Sequence, residues 1–315
     1  MASWQARGIS AYLALKNRIA GRSGRLDVAK ERADVESMAR MFKPIGPIQC
    51  EPVSADGVPA EWIRPPGCES RRTVLFLHGG SFISGSIASH RTLAGNVARS
   101  SDSQVLLIDY RLAPEHPFPA AVEDAVTAYS WLLAQGFPPN QLAVAGDSAG
   151  GNLALALLIH LRDHYQPAPV AAVCFSPAPD LTFGGASWGF NAKKDLMLVE
   201  SKEHEAVRLY LRGTDIRSPM ASPSFADLRG LPPLLVQVGS HEVLLSDCEG
   251  FAENARAAGV EVQLEVWPRM QHEWQFAARF LPEGRSAIAR AGAFLGTGFS
   301  RFQEPDVTSG REAPR

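Results

Sequence analysis

A serine stands between glycines in the segment Gly146-Asp147-Ser148-Ala149-Gly150. It follows a predicted strand over residues 142–145 and precedes a predicted helix over 149–164. A serine on so tight a turn holds its hydroxyl above the sheet, and the helix N-terminus offers N–H groups and a positive dipole end to a developing oxyanion. The pattern predicts that Ser148 is a nucleophile and that Asp147 holds the turn. A plain glycine-rich turn is the alternative, since the G-x-G-x-x-G spacing of a dinucleotide site is absent.

A second candidate motif, His78-Gly79-Gly80-Ser81, comes directly after a short apolar run. Two adjacent glycines allow backbone N–H groups to approach a substrate oxygen, as in the oxyanion holes of lipases and esterases. The residue after the nucleophile supplies a further N–H group. We therefore predict Gly79, Gly80 and Ala149 as oxyanion donors. His78 is predicted to hold the loop through hydrogen bonds of its ring.

A serine nucleophile needs a base, and the base needs a carboxyl group that orients it. Of the eight histidines, His272 follows the last predicted strand, which fits the chain order of serine, acid and histidine. Two carboxyl groups follow the predicted strand over 234–238. Glu242 is favoured because it lies nearer the end of that strand, where loop residues point to the site. Asp247 stays open as the alternative acid, although it falls in the first turn of the next helix, where it suits the helix dipole.

The elements that position these groups alternate between strands and helices. The predicted strands cover residues 48–54, 58–63, 73–77, 104–109, 142–145, 170–175, 234–238 and 262–266. The predicted helices cover residues 89–100, 120–135, 149–164, 247–258 and 285–295. This alternation predicts an α/β fold with a mostly parallel central sheet flanked by helices, and the opening hairpin adds an antiparallel edge.

Three regions depart from the alternation. Residues 4–42 predict a pair of amphipathic helices separated by a break at 21–24. The interval from 177 to 232 has no clear strand but has a helical stretch at 201–212, and an insertion of this length usually carries its own small structure. The polar end, 297–315, is predicted to be a flexible tail.

Composition excludes several classes of protein. Hydrophobic residues make up 45% of the 315, which is too many for a wholly disordered chain. The 31 basic and 33 acidic residues give a net charge of −2, so we expect no nucleic-acid partner. The longest apolar run is too short to span a bilayer, and the N-terminus lacks a signal-peptide pattern, so we expect a cytoplasmic protein without stable membrane insertion. The four cysteines lack the spacing of a zinc site and are expected to be separate thiols.

Taken together, the motifs resemble those of the hormone-sensitive-lipase-like esterases (bacterial family IV) of the α/β-hydrolase superfamily. The resemblance covers about residues 48–296. It rests on HGG at 78–80, YRLAPE at 110–115, PFPAA at 117–121 and GDSAGGN at 146–152. Where the family has D-P-L, this chain has Glu242-Val243-Leu244, so the resemblance puts Glu242 in the place of the catalytic acid. Ser81 stands where many members have a third glycine.

The resemblance also implies a domain organisation. The α/β-hydrolase catalytic domain would comprise residues 47–179 and 221–296. A helical cap over the site would comprise residues 1–46 and 180–220, in agreement with the helices predicted there. Many members of the family are dimers, so the resemblance is compatible with a homodimer.

The implied activity is that of a serine carboxylesterase acting on small-molecule esters. Ser148, Glu242 and His272 would hydrolyse esters of short-to-medium acyl chains through an acyl-enzyme, without a metal or a cofactor. An amidase or deacetylase that uses the same three residues is the enzymatic alternative. A non-catalytic ligand-binding member of the fold is a further alternative, which the presence of all three residues disfavours.

Overall fold

The computed structural model describes residues 2–20, 24–68 and 70–301. Within these residues eight strands form one sheet. The strands are β1 (Gln49–Ala55), β2 (Val58–Arg64), β3 (Thr73–Leu77), β4 (Gln104–Ile108), β5 (Leu142–Asp147), β6 (Ala172–Phe175), β7 (Leu234–Gly239) and β8 (Val262–Trp267). Their order is β1-β2-β4-β3-β5-β6-β7-β8. The β1–β2 and β2–β4 pairs are antiparallel and all other pairs are parallel, which confirms the predicted sheet and its antiparallel edge.

The central strands are apolar throughout because both faces of the sheet are covered. Every residue of β3, β4 and β5 is buried. Side chains alternate between the faces with period two, so Leu75 and Leu77 join one hydrophobic cluster while Val74 and Phe76 join the other. Edge strand β1 is mostly exposed, as expected for a strand that has one neighbour.

Helices cover the two faces. They are α1 (Trp4–Ala20), α2 (Val28–Ala39), α3 (Ile87–Ser100), α4 (Ala120–Ala134), α5 (Ala149–Asp163), α6 (Ser187–Phe190), α7 (Glu200–Leu211), α8 (Leu245–Ala257) and α9 (Pro282–Ser300). Leu93 of α3 and Leu295 of α9 pack into one cluster. Leu132 of α4, Leu155 of α5 and Phe251 of α8 pack into the other. Among the described residues no helix has both the length and the apolar character that crossing a membrane requires.

Helix α9 corrects one predicted boundary. The predicted tail begins at 297, but α9 continues to Ser300 and Phe299 is buried. Gly298 lets this last part of α9 pack closely, because a Cβ at that position would lie only 3.1 Å from the Cβ of Ala171. The prediction was therefore wrong for residues 297–300. The rest of the predicted tail, 302–315, and most of the predicted break at 21–24 lie outside the described residues.

Helix α2 contacts α7, and α1 contacts the segment just before α7. Lys202 of α7 forms an ion pair with Glu31 of α2. The Asn17 amide of α1 donates to the carbonyl of Leu196, 2.8 Å away, just before α7. Arg32 of α2 reaches the loops that follow β3 and β4. The two segments predicted to form a cap are thus joined to each other and to these loops.

Candidate active site

Ser148 lies on a strained turn between β5 and α5. Its φ of 50° and ψ of −117° are unusual for a residue with a side chain. The turn is possible because its neighbours are glycines. A Cβ on Gly146 would lie 2.3 Å from the carbonyl oxygen of Gly150, and a Cβ on Gly150 would lie 2.0 Å from that of Leu77. The predicted strand-turn-helix arrangement is therefore present, with the serine hydroxyl above the carboxyl end of the sheet.

Ser148, His272 and Glu242 form one chain of hydrogen bonds. His272 Nε2 lies 3.0 Å from Ser148 Oγ, and His272 Nδ1 lies 2.8 Å from Glu242 Oε2. The other carboxylate oxygen of Glu242 accepts hydrogen bonds from Ser176 Oγ at 2.8 Å and from the Gly239 N–H at 2.5 Å. Glu242 is fully buried. Its orientation is therefore fixed from both sides before any substrate binds.

Asp247, the alternative acid, faces a different part of the molecule. Its carboxylate accepts a hydrogen bond from Trp188 Nε1 at 2.7 Å. The other oxygen lies against Gly185. Burial raises the pKa of Asp247 to about 6, although the bond from Trp188 opposes the shift. The contact with His272 thus belongs to Glu242, while Asp247 binds the segment that leads to α7.

The N–H group of Gly79 does not point into the site. It donates to Asp147 Oδ2 at 3.1 Å, and it lies 3.2 Å from His90 Nε2, which is itself 3.1 Å from the same oxygen. The prediction that Gly79 is an oxyanion donor was therefore wrong, because its N–H is already engaged by a buried carboxylate. The predicted role of Asp147 in holding the turn stays a prediction, since its side chain contacts the glycine loop and the ring of His90.

Three other N–H groups stay unengaged. In the described part of the chain, those of Gly80, Ser81 and Ala149 donate to no protein acceptor. Gly80 has a φ of +117°, and a Cβ there would lie 2.3 Å from the carbonyl oxygen of Ser84. Ser81 and Ala149 line one cavity together with Ser148. Ser81 is therefore a donor candidate that the sequence did not predict. The two glycines of the motif indicated donors at 79 and 80, whereas the unengaged N–H groups of this loop belong to residues 80 and 81.

His78 supports the glycine loop from below. Its ring stacks on Tyr110 with centroids 4.1 Å apart, and Tyr110 donates its hydroxyl to the His78 carbonyl at 2.7 Å. Burial, with a smaller contribution from His90, lowers the pKa of His78 to about 3. The ring is therefore neutral, and the predicted structural role of His78 is confirmed.

An acidic pair that the motifs do not predict lies beside His272, with Asp147 buried and Glu273 partly buried. Glu273 Oε1 is 3.7 Å from His272 Nε2. Burial and the nearby charge of Asp147 raise the pKa of Glu273 well above its usual value. Burial would also raise the pKa of Asp147, but His90 and a hydrogen bond with Glu273 hold that pKa below its usual value. Glu273 is therefore the protonated partner and donates to an ionised Asp147.

The cluster of His90, Asp147 and Glu273 contains side chains of the types that bind metal ions. In the residues that the structure describes, His90, Asp147 and Glu273 place ligand atoms within 4.8 Å of one another. His90 Nε2 and the Gly79 N–H both lie 3.1 Å from Asp147 Oδ2, whereas Asp147 Oδ1 has no hydrogen-bond partner among the described residues. A proton shared between Glu273 and Asp147 accounts for the close approach of these two carboxyl groups.

The pKa of His272 reflects opposing effects. Burial lowers it, whereas the carboxyl groups of Glu273 and Glu242 raise it, and the net direction is upward. Of these two carboxyl groups, Glu242 is the one that forms a hydrogen bond with the ring, at Nδ1. An imidazole raised in this way remains able to accept a proton once the pH exceeds its pKa.

Two spaces flank the hydrogen-bonded pair of Ser148 and His272, one lined by Ser148 and the other by His272. A narrow cavity of about 20 Å³ is lined by Ser148 and Ala149, and by side chains that include Phe82, Phe183 and Trp188. A larger groove of about 350 Å³ is lined by His272, by α1 and by residues 269–281, and its wall is mainly apolar. The hydroxyl of Ser148 thus has a confined side and a roomy side.

Comparison with known proteins agrees with this geometry. Residues 74–276 match the α/β hydrolase fold family. The chain is 47% identical over 270 residues to the acetyl-hydrolase of Streptomyces hygroscopicus, covering 86% of this chain and 88% of that protein. It is 37% identical over 265 residues to an esterase of Acinetobacter venetianus, covering 84% and 87%. A solved esterase of the bacterial hormone-sensitive lipase family superposes with a TM-score of 0.89 at 43% identity, covering 95% of this chain and 99% of that one. The chain therefore belongs to the hormone-sensitive-lipase-like esterases of the α/β hydrolase fold, and it is a carboxylic ester hydrolase.

Proposed function

We propose that the chain is a serine esterase that hydrolyses esters of short acyl groups through an acyl-enzyme on Ser148. The observation that carries this proposal is the unbroken line of hydrogen bonds from Glu242 through His272 to the Ser148 hydroxyl. A base within 3.0 Å of the hydroxyl can take its proton as the oxygen attacks. A buried carboxylate on the opposite ring nitrogen keeps the imidazole in the required tautomer.

Acylation and deacylation use the same groups in sequence. Ser148 Oγ bonds to the ester carbonyl carbon while its proton passes to His272 Nε2. The N–H groups of Gly80, Ser81 and Ala149 are the donors closest to the carbonyl oxygen that becomes negative. The proton on Nε2 then passes to the alcohol oxygen, and the ester C–O bond breaks. Water, deprotonated by His272, attacks the acyl-enzyme and restores the Ser148 hydroxyl.

The two spaces beside Ser148 can be assigned to the two halves of the ester. The alcohol oxygen must lie within reach of His272 because that ring protonates it. The groove lined by His272 is therefore the alcohol side, and its apolar wall favours an apolar alcohol. The cavity lined by Ser148 and Ala149 is then the acyl side.

The size of the acyl cavity limits the acyl group. A volume of about 20 Å³ accommodates one group of about the size of water or methyl. The methyl of an acetyl group fits this limit and a propionyl group exceeds it by a single carbon, so the acyl range is narrower than the short-to-medium range implied by the family resemblance. The name acetyl-hydrolase of the relative from Streptomyces hygroscopicus supports the same acyl size.

We further propose that residues 1–46 and 180–220 form a cap that closes the site, over a catalytic domain of residues 47–179 and 221–296. The contact of α1 with Leu196, the ion pair between α2 and α7, and the bonds from Arg32 of α2 to the loops after β3 and β4 support this division. The side chains of Met197 and Leu198, in the second cap segment, line the groove and the cavity respectively. The cytoplasmic location, the lack of a nucleic-acid partner and the homodimer stay predictions, as do the amidase and deacetylase alternatives.

Hydrolysis of p-nitrophenyl esters from C2 to C12 tests the proposal. We expect kcat/KM to be highest at C2 and C3 and to fall steeply beyond, because longer chains cannot enter the acyl cavity. Ser148→Ala should lower kcat by about 10⁴-fold or more, since the nucleophile is lost. An unchanged unfolding midpoint and unchanged binding of a substrate analogue would show that the variant is folded. Activity that survives Ser148→Ala, or a wild type inactive on every ester, would overturn the proposal.

A further inference from the structure

One ionisable side chain lies in the wall of the acyl cavity. Among the described residues that line it, Glu203 of α7 carries the only carboxyl group, and most of its neighbours in the wall are apolar. The apolar part includes Phe82, Leu198 and Val207. A carboxyl group among apolar side chains is unfavourable unless its oxygens are hydrogen-bonded. Its presence beside the nucleophile therefore requires a reason.

One of the two carboxyl oxygens of Glu203 forms a hydrogen bond within the protein. Ser81 donates its hydroxyl to Glu203 Oε2 at 2.7 Å. No hydrogen bond from the described residues reaches the other oxygen, Oε1. Burial raises the pKa of Glu203, and the Ser81 bond opposes this shift. The cavity thus presents one oriented polar oxygen.

Ser81 is itself one of the departures from the resembled family motif, in which many members have glycine there. Glycine at this position would leave both oxygens of Glu203 without a partner. The residue also keeps a positive φ of 52°, which a serine adopts at some conformational cost. The serine and the glutamate therefore act as a pair, in which one orients the other.

We propose that Glu203, oriented by Ser81, selects acyl groups that carry a hydroxyl near the carbonyl, such as the glycolyl group, over alkyl groups of the same size. This inference rests on the proposed function and on the assignment of the cavity to the acyl side. A hydroxyl both donates and accepts, so it can pair with Glu203 Oε1 whether the carboxyl group is protonated or ionised. A methyl group of equal volume can do neither, and it leaves a desolvated oxygen unpaired.

Glycolyl and propionyl groups form the matched pair for the test because they differ by hydroxyl against methyl. The quantity measured is the ratio of kcat/KM for p-nitrophenyl glycolate to that for p-nitrophenyl propionate. Dividing it by the same ratio for hydroxide-catalysed hydrolysis removes the difference in intrinsic reactivity. The wild type should then favour glycolate by about tenfold, as expected for one additional hydrogen bond to a carboxyl group.

Three variants separate recognition from a merely structural role. Glu203→Leu should abolish the preference, whereas Glu203→Gln should retain most of it because an amide oxygen and N–H can still pair with a hydroxyl. Glu205→Gln, in the exposed pair with Arg208 on the same helix, is the matched control and should leave the ratio unchanged. The proposal concerns the ratio, so a loss of overall activity alone does not support it.

The outcomes are distinct. A parallel fall of both kcat/KM values in Glu203→Leu, with the ratio unchanged, would show that Glu203 only fastens α7 to the loop and would overturn the inference. A wild type with no normalised preference for glycolate would overturn it even if the leucine variant fails to fold. A wild type that hydrolyses neither ester would instead overturn the proposed function on which the inference rests.

Discussion

Replacing Glu273 by glutamine tests whether the second carboxyl group beside His272 carries a charge. Glu273 Oε1 lies 3.7 Å from His272 Nε2, on the side of the ring that must accept the proton of Ser148. The pKa of Glu273 is raised by burial and by Asp147, while that of Asp147 is lowered, so the proton is favoured on Glu273. Glutamine is neutral and can donate to Asp147 through its amide. We therefore expect Glu273→Gln to shift the acid limb of kcat/KM by less than about 0.5 pH unit, far below the shift that loss of a charge would cause.

The size of the opposite result follows from the distance. A full negative charge 3.7 Å from the imidazolium would stabilise it by about 4 kcal/mol at an effective dielectric constant of ~20. That energy corresponds to about 3 units of pKa. If Glu273 were ionised, its removal would withdraw this stabilisation from the charged ring. The pKa of His272 would fall, and the acid limb would move to lower pH by a similar amount.

The assay is kcat/KM for p-nitrophenyl acetate across pH 5 to 9, corrected for spontaneous hydrolysis at each pH. Activity should decline as the pH falls through the pKa of His272, because the protonated ring cannot accept the proton of Ser148. Glu253→Gln, an exposed change on α8, controls for the loss of one negative charge far from the site. A displacement of the acid limb to lower pH by one unit or more in Glu273→Gln would refute the neutral assignment.

Two further predictions concern the acid and the elbow. Glu242→Ala should lower kcat by about 10⁴-fold because the imidazole loses its orienting carboxylate. The kcat of Asp247→Asn should stay within about threefold of the wild-type value, since the partner of Asp247 is Trp188. A reversed order of the two variants in steady-state assays would reassign the acid. Gly150→Ala should destabilise the fold by about 3 kcal/mol or more in denaturant unfolding, because the added Cβ would lie 2.0 Å from a backbone oxygen, while Gly250→Ala in α8, where nothing lies within 4 Å, should be neutral or stabilising. Equal stability of the two alanine variants would contradict the steric explanation.

The positions of Ser148 and His272, the proposed nucleophile and base, could be predicted because local rules decide both. The turn at Ser148 needs glycines on each side for reasons of space, and those glycines are visible in the sequence. His272 follows the last strand, and the order of strands is fixed by apolar runs that alternate with helices. Glu242 was favoured over Asp247 by its closeness to the end of β7, and the hydrogen bond to His272 agrees with that preference.

The oxyanion loop could not be predicted to the residue because the direction of an N–H group depends on distant partners. Gly79 turns its N–H toward Asp147, which is 68 positions away in the chain. The hydrophobic periodicity of the sequence does not predict a contact of this kind. Glu273 gave a weak signal, an acidic residue directly after the predicted base, but its protonation depends on burial against Asp147. Glu203 lies in the interval without a strand pattern, so its hydrogen bond with Ser81 could not be predicted from the sequence either.

Four carboxyl groups near Ser148 are compatible with ester hydrolysis only if most of their negative charge is neutralised. They belong to Asp147, Glu203, Glu242 and Glu273. A developing oxyanion is destabilised by nearby negative charge, so four ionised carboxylates would oppose the reaction that the N–H groups of the loop promote. Glu242 is balanced in the transition state by the imidazolium that it supports. Asp147 is held by His90 and by the proton of Glu273, which leaves that pair with one charge instead of two. Glu203 stands apart from this balance, since its burial favours the proton-bound form and its orientation comes from Ser81 on the loop itself. The loop therefore fixes the donors for the oxyanion on one side and the polar group of the acyl cavity on the other, so that recognition of the acyl group and stabilisation of its oxyanion depend on the same short segment.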